Sequence, residues 1–185
     1  MKEFKTTQGE TIEVNSEHDP WADAVVSFKM GSPAATRSIN PWAAVGKPDY
    51  KIVEGAEDES SFVALGHGGE LILEFIDNVL VDGPGPDLVI FEIGNAVEPT
   101  DVAVSEDGKT WIEVGRAAGS KAAIDIGPFV KPEQRFRFVR LTDGKAGFSN
   151  GSSWPGADID AVGALNSLPV ANGPSREAIE KRWKR

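Results

Sequence analysis

From Trp21 onward the chain alternates apolar and polar residues in short runs. In the stretch WADAVVSFKM, Ala24, Val26, Phe28 and Met30 fall on one side of an extended backbone, the period-two signature of a half-buried strand. Similar strand signals recur over Ser61–Leu65, Glu70–Ile76, Asp87–Ile93, Asp101–Ser105, Thr110–Arg116, Ala122–Ile126, Arg135–Thr142 and Ala157–Leu165. The breaks between them hold turn formers, at Gly66–Gly69, Asp82–Pro86, Asp107–Gly108, Gly127–Pro128 and Asn150–Gly156. The run Arg135–Thr142 puts Phe136 and Phe138 on one face but Val139 and Leu141 on the other. That parity requires either a strand buried on both faces at one end or a bulge. Regular short strands with no long helical period between them predict an all-β chain, an antiparallel sandwich or barrel.

The pattern also divides the chain. Residues 1–20 form a polar N-terminal extension without the apolar stretch of a signal peptide. Residues 21–165 hold the strand signals, interrupted over 31–59 by a loop-rich stretch with Pro33, Pro41, Pro48 and an acidic patch at Glu54, Glu57, Asp58 and Glu59. Residues 166–174 (NSLPVANGP) are a linker, and residues 175–185 a helical tail. There Ser175 can cap the helix, and Ile179 and Trp183 stand at i, i+4. A helix that short either docks on the body or leads into a further domain.

The 185 residues are 40% hydrophobic and 26% charged, enough to build a core without a membrane-length apolar run. Cysteine is absent, which removes disulfides, thiolate metal sites and thiol chemistry, and the two histidines leave little for a histidine metal centre. The net charge is −10, and since the tail from Ser175 carries five basic and two acidic residues, the body before it carries −13. A body that acidic repels nucleic acid and anionic lipid and suits bound cations.

Candidate chemistry follows the acids. Asp82-Gly-Pro-Gly-Pro-Asp87 sets two carboxylates around a turn whose carbonyls can face inward, which fits either a hard-cation loop or a plain turn with solvated acids. Glu92 stands in the apolar strand Val89–Ile93, where a carboxylate needs a partner: a cation, or an arginine of the Arg135–Arg140 strand. Asp158 and Asp160, at i, i+2, are expected on one strand face, with Ile159 and Ala161 on the other. Asp23 joins them if the first and last strands pair. Trp42 and Trp154 sit in Pro/Gly loops, where they can stack on sugar rings or anchor the loops. Catalytic motifs are lacking: there is no G-x-S-x-G elbow, and Leu65-Gly-His-Gly-Gly69 carries no phosphate-loop lysine.

The hairpin Val104-Ser-Glu-Asp-Gly-Lys-Thr-Trp-Ile-Glu-Val114 turns at Asp107-Gly108, and Phe136-Arg-Phe-Val-Arg-Leu141 follows as a basic–apolar strand. This pair resembles the discoidin (factor V/VIII type C) and wider galactose-binding-like β-sandwich superfamily. Leu65–Gly69, Asp82–Asp87 with Phe91-Glu92, and Trp154-Pro-Gly-Ala-Asp-Ile-Asp-Ala-Val162 resemble, in order, modules of bacterial cell-surface proteins, some fused to an OmpA-like domain. The resemblance spans Trp21 to Leu165. It implies an antiparallel jelly-roll sandwich, often with a structural calcium, that binds glycans or other surface ligands outside the cell or in its envelope. The disulfide that pins many discoidin domains has no counterpart here, and their loop-tip ligand residues do not transfer to this chain.

Together these readings predict a non-catalytic surface module that binds a glycan or an envelope component, without nucleic acid or membrane insertion, next to another domain of a longer protein. Trp42 and Trp154 are the expected ligand residues. Asp82, Asp87, Glu92, Asp158 and Asp160 are the expected calcium ligands, oxygen donors that suit a hard ion. A structural spacer in an envelope protein and a carboxylate-dependent glycoside-active enzyme stand as alternatives.

Overall fold

The computed structural model describes residues 2–6, 9–14, 19–93, 98–118, 122–145, 152–171, 174, 177–178 and 181. In chain order the strands are β1 (Lys2–Lys5), β2 (Thr11–Val14), β3 (Ala24–Lys29), β4 (Ile52–Val53), β5 (Ala56–Glu57), β6 (Val63–Ala64), β7 (Glu70–Glu74) and β8 (Asn78–Leu80). They continue as β9 (Leu88–Glu92), β10 (Thr100–Ser105), β11 (Ile112–Ala117), β12 (Ala123–Ile124), β13 (Phe138–Asp143), β14 (Asp158–Ala164) and β15 (Ser167–Pro169). A 3-10 turn, Pro41–Ala44, is capped by Asn40, whose side chain accepts from the Trp42 amide.

Two antiparallel sheets make the body, one in the order β11-β10-β13-β7-β3 and the other β12-β9-β14-β6. Leu71, Leu73, Val102, Val104, Val139 and Leu141 of the first meet Leu88, Ile90, Ile159 and Val162 of the second in one core. The fold is an all-β sandwich. In β13 the alternation is regular: Val139, Leu141 and Asp143 are buried, while Phe138, Arg140 and Thr142 lie half-buried on the outer face. β9 is buried at every position because its outer face is covered as well. The β1–β2 hairpin lays Phe4, Ile12 and Val14 over Trp21, Val89, Phe91 and Ala161, with the Phe4 and Trp21 rings edge-on at 4.9 Å. The polar opening segment thus supplies a second small core. At the other end β15, within the segment expected as a linker, pairs with β8.

Three irregularities correct the parity read from the sequence. In β3 the register shifts at Val26, so Val25 and Phe28 face the core while Val26 is 50% exposed. β3 is a sheet edge, where a bulge discourages pairing with another chain. In β14 the shift falls at Asp160, and it sends Ile159 into the main core and Ala161 into the outer one. Ile159 and Ala161 therefore do not share a face as the simple alternation predicts. In the third case Phe136 bridges Leu80 alone and β13 begins at Phe138, so a break in the strand lets Phe136 and Val139 both reach the core.

Most of the expected tail helix lies outside the described residues, as does His18; within them Lys181 reaches Glu177 at 2.7 Å, one helical turn away. No helix among the described residues is long and apolar enough to cross a membrane.

Candidate functional site

The Asp82–Asp87 turn is organised by Asp87. Its side chain is fully buried, Oδ1 accepts from the Gly83 amide and the Asn166 side chain at 2.8 Å each, and Oδ2 accepts from the Ile126 amide at 2.8 Å. Burial pushes its carboxyl above the usual range, and these donors oppose the shift. Asp82, Asp87 and Asp125 bring a carboxylate oxygen each within 4.8 Å of one another. Gly127 sits against them: a Cβ there would stand 2.7 Å from Asp82 Oδ1 and 3.1 Å from Asp125 Oδ1. Asp125 was not singled out by the sequence reasoning, and its signal is modest, an acid between a strand and a Gly-Pro turn.

Glu92 takes part in a different assembly. It is 8% exposed, its Oε1 accepts from the Glu98 amide at 2.9 Å, and the two carboxyls share a hydrogen bond. Burial first, with the Glu98 and Asp158 charges adding, pushes Glu92 up to about 9. Burial likewise raises Asp158 to about 8, helped by Glu98, Glu57 and Asp143. Asp158 Oδ1 is shut from solvent with no hydrogen-bond partner among the described residues. The arginines offered by the sequence as partners for Glu92 go elsewhere. Arg135 donates to the Pro132 and Gln134 carbonyls, Arg137 lies 2.9 Å from Glu74, and Arg140 lies 2.6 Å from Glu113. Glu98 and Asp143 are members of this assembly that sequence reasoning missed; each stands beside a Pro or Gly at a strand end.

The remaining acids hold loops. Asp160 accepts from the amides of Asp49 (3.1 Å) and Tyr50 (3.4 Å), and burial raises it to about 7 despite them. Asp143 ties three loops, accepting from the Gly68, Lys145 and Ala157 amides at 2.7, 3.0 and 3.0 Å. The first and last strands do meet, at a Trp21–Gly163 bridge, but Asp23 does not join the acids of β14. The chain crosses there to the other sheet, and Asp23 Oδ2 accepts from the Ile76 and Asp77 amides.

The two tryptophans have different surroundings. Trp154 is held on several sides: its Nε1 donates to Ser38 Oγ at 3.1 Å, the Arg37 guanidinium lies 5.0 Å from its ring, and Phe62 packs at 6.4 Å. Phe62 in turn meets Tyr50 at 6.2 Å, so Trp154 ends a row of rings that buttresses Tyr50. Trp42 is 41% exposed. Among the described residues no ring contact joins the two tryptophans.

Tyr50 faces a cleft of about 560 Å³ between the β1–β2 hairpin and the 48–57 segment, above β9 and β14. Phe4 and Tyr50 contribute aromatic walls over the buried Phe91, with Lys5, Glu57 and the buried Glu92 among its polar groups. Tyr50 Oη donates to Glu57 Oε1 at 3.3 Å. The volume falls in the range of small-molecule sites.

No family model matches the chain, and no curated protein matches it. Among solved structures, the C-terminal domain of a chitobiase from Bacteroides fragilis is similar at 17% identity and a TM-score of 0.45, over 86% of this chain and 100% of that one. A protein described as a glycoside hydrolase is similar at 16% identity and a TM-score of 0.44, over 85% of this chain but 38% of its own length. Likenesses of this size carry no argument about ligand or activity, which rest on the geometry above.

Proposed function

We propose that this chain is a non-catalytic ligand-binding module that takes a glycan or an envelope component outside the cell or in its envelope, beside another domain of a longer protein. The observation that supports this reading is the cleft walled by Phe4 and Tyr50 over the buried Phe91, where rings suited to the apolar face of a sugar stand beside carboxyl, ammonium and phenol groups suited to its hydroxyls. A glycoside-active reading needs an acid in that cleft positioned to give up a proton. Glu92 holds such a proton, but it is 8% exposed and hydrogen-bonded to Glu98, and Asp160, another acid of the cleft, spends its oxygens on two backbone amides.

The same proposal includes a structural calcium ion around which Glu92, Glu98 and Asp158 would draw together; the Asp82, Asp87 and Asp125 oxygens already lie within 4.8 Å of one another, but those of Asp87 are taken by amide donors. Carboxyls buried against one another require a counter-charge, and Asp158 Oδ1 has no donor among the described residues. Hard oxygen ligands of this kind suit calcium. Its place behind the cleft would fix the cleft's floor.

The test is a panel of short glycans and envelope fragments offered to the purified chain in calcium. Binding that falls at least about tenfold with Tyr50→Ala is the expected result. Trp42 does not line the cleft, and Trp42→Ala is expected to leave this binding unchanged. No binding by the folded wild-type chain would leave the spacer reading. Turnover of any glycan, abolished by a single carboxylate substitution, would replace this proposal with the enzymatic one.

A further inference from the structure

The outer face of the five-stranded sheet carries a second arrangement, on the side of the sandwich away from the cleft. Strand register places Arg116, Asp101, Thr142, Glu70 and Lys29 in one row across the five strands. The next row holds Glu113, Ala103, Arg140, Ile72 and Ser27. Each arginine is held by an acid, Arg116 as a fork on Asp101 and Arg140 through one nitrogen on Glu113, with Glu70 at 4.0 Å. Arg116 Nε and Nη2 meet the two oxygens of Asp101 at 2.6 and 3.0 Å. Arg140 Nη2 donates to Glu113 at 2.6 Å, and its guanidinium lies 4.8 Å from the Trp111 ring, which fixes its plane. Between the two arginine–acid pairs lies an open trough. Phe129, 50% exposed, stands at its margin, and a Cβ added to Gly115 would meet nothing within 4 Å. The resulting trough has a volume of about 630 Å³ and is lined by Asp101, Glu113, Arg116, Phe129, Arg140 and Thr142.

We propose that this trough binds a neutral polysaccharide chain, as a second saccharide site distinct from the cleft. Each arginine–carboxylate pair sets donors and acceptors side by side, and a vicinal diol, which also donates and accepts, matches that pattern. The exposed Phe129 ring offers the flat apolar surface that a sugar ring's C–H face covers. Charge selects among polysaccharides: the two arginines and two acids of the trough cancel, and the chain as a whole carries −10, so a polyanion is repelled and a neutral chain is not. Both arginines are already paired with acids, so little side-chain freedom is lost on binding. The inference rests on the reading of this domain as a glycan binder, but it uses residues that the cleft does not.

The experiment is native affinity electrophoresis of the full chain through gels containing soluble neutral glucans, xylan or mannan, with alginate as the anionic control. Retardation by at least one neutral polysaccharide, weakened about tenfold or more by Phe129→Ala and by Arg116→Ala but retained in Tyr50→Ala, is the expected result. Phe129 is exposed, so its variant keeps the fold; matching circular dichroism of wild type and variant checks that directly. Retardation that Phe129→Ala leaves unchanged would overturn the trough. So would retardation by alginate alone, or none by any neutral polymer. Loss in Tyr50→Ala with Phe129→Ala unaffected would overturn the trough and leave the cleft standing. Binding of short glycans that Tyr50→Ala leaves intact, with polymer retardation lost in Phe129→Ala, would overturn the cleft and leave the trough.

Discussion

Asp87 and Glu92 sit five residues apart, at the two ends of β9, and are buried in opposite ways. Asp87 is met by donors on both oxygens, from Gly83, Ile126 and Asn166, which oppose the upward push of burial. Glu92 accepts from the Glu98 amide and stands close to two further acids, Glu98 and Asp158, whose charges push its carboxyl up. The first is a clasp that holds two loops to a strand end. The second is a cluster whose charges are compatible only if protons or a cation intervene. The difference teaches that burial of an acid says little by itself; what faces the oxygens decides whether the residue stabilises the loops or waits for a counter-ion.

The largest test of that contrast is Asp87→Ala. It leaves the Gly83 and Ile126 amides and the Asn166 side chain without their acceptor, so destabilisation of about 3 kcal/mol or more is expected from chemical denaturation. A loss near zero would mean that these loops are not held by the carboxylate.

Next in size is the calcium response. At free calcium a hundredfold above its dissociation constant, the chain should gain about 2.7 kcal/mol and melt several degrees higher than in chelator. Asp158→Asn or Glu92→Gln should remove the gain and Asp82→Asn should keep it. The reverse pattern would move the ion to the Asp82, Asp87 and Asp125 group.

A smaller effect is the slope with pH of the metal-free chain. Glu92 and Asp158 are raised in the folded state, to about 9 and about 8, so between their ordinary values and these the folded chain binds more protons than the unfolded one. Their stabilising contribution is present at acid pH and is lost as pH rises through the upper values. Melting in chelator should therefore fall from about pH 5 to about pH 9, and Glu92→Gln with Asp158→Asn should flatten the decline. A melting temperature that rises across this window would show that the acids already have cationic partners.

Smallest is Asp82→Asn. Asp82 is half-buried at the Gly127 turn, and a change within about 0.5 kcal/mol is expected from thermal melting. A cost near that of Asp87→Ala would make the two acids one clasp.

Much of this was legible from residues alone. The Asp107-Gly108 turn, with Gly108 at φ 71° and Asp107 accepting from the Lys109 and Thr110 amides, is local chemistry that any fold would keep. The burial of Glu92 follows from the apolar run around it. The exposure of Trp42 and the enclosure of Trp154 did not follow, because both residues sit in similar Pro/Gly contexts. Only the arrival of Arg37, Ser38 and Phe62, over a hundred or about ninety positions earlier in the chain, separates them.

By itself the sequence determined the all-β class, most of the strands and the acidic character of the body, since period-two alternation, turn residues and net charge are properties of neighbours along the chain. Tertiary structure alone decided which strands bulge, where the Arg135–Arg140 arginines go, and which acids meet. Register shifts at Val26 and Asp160 arise from pairing with a partner strand, and a one-residue slip exchanges the two faces. Glu92, Glu98, Asp143 and Asp158 come together only because β9, β10, β13 and β14 end at the same side of the sandwich, and such a convergence leaves no periodic trace in the chain.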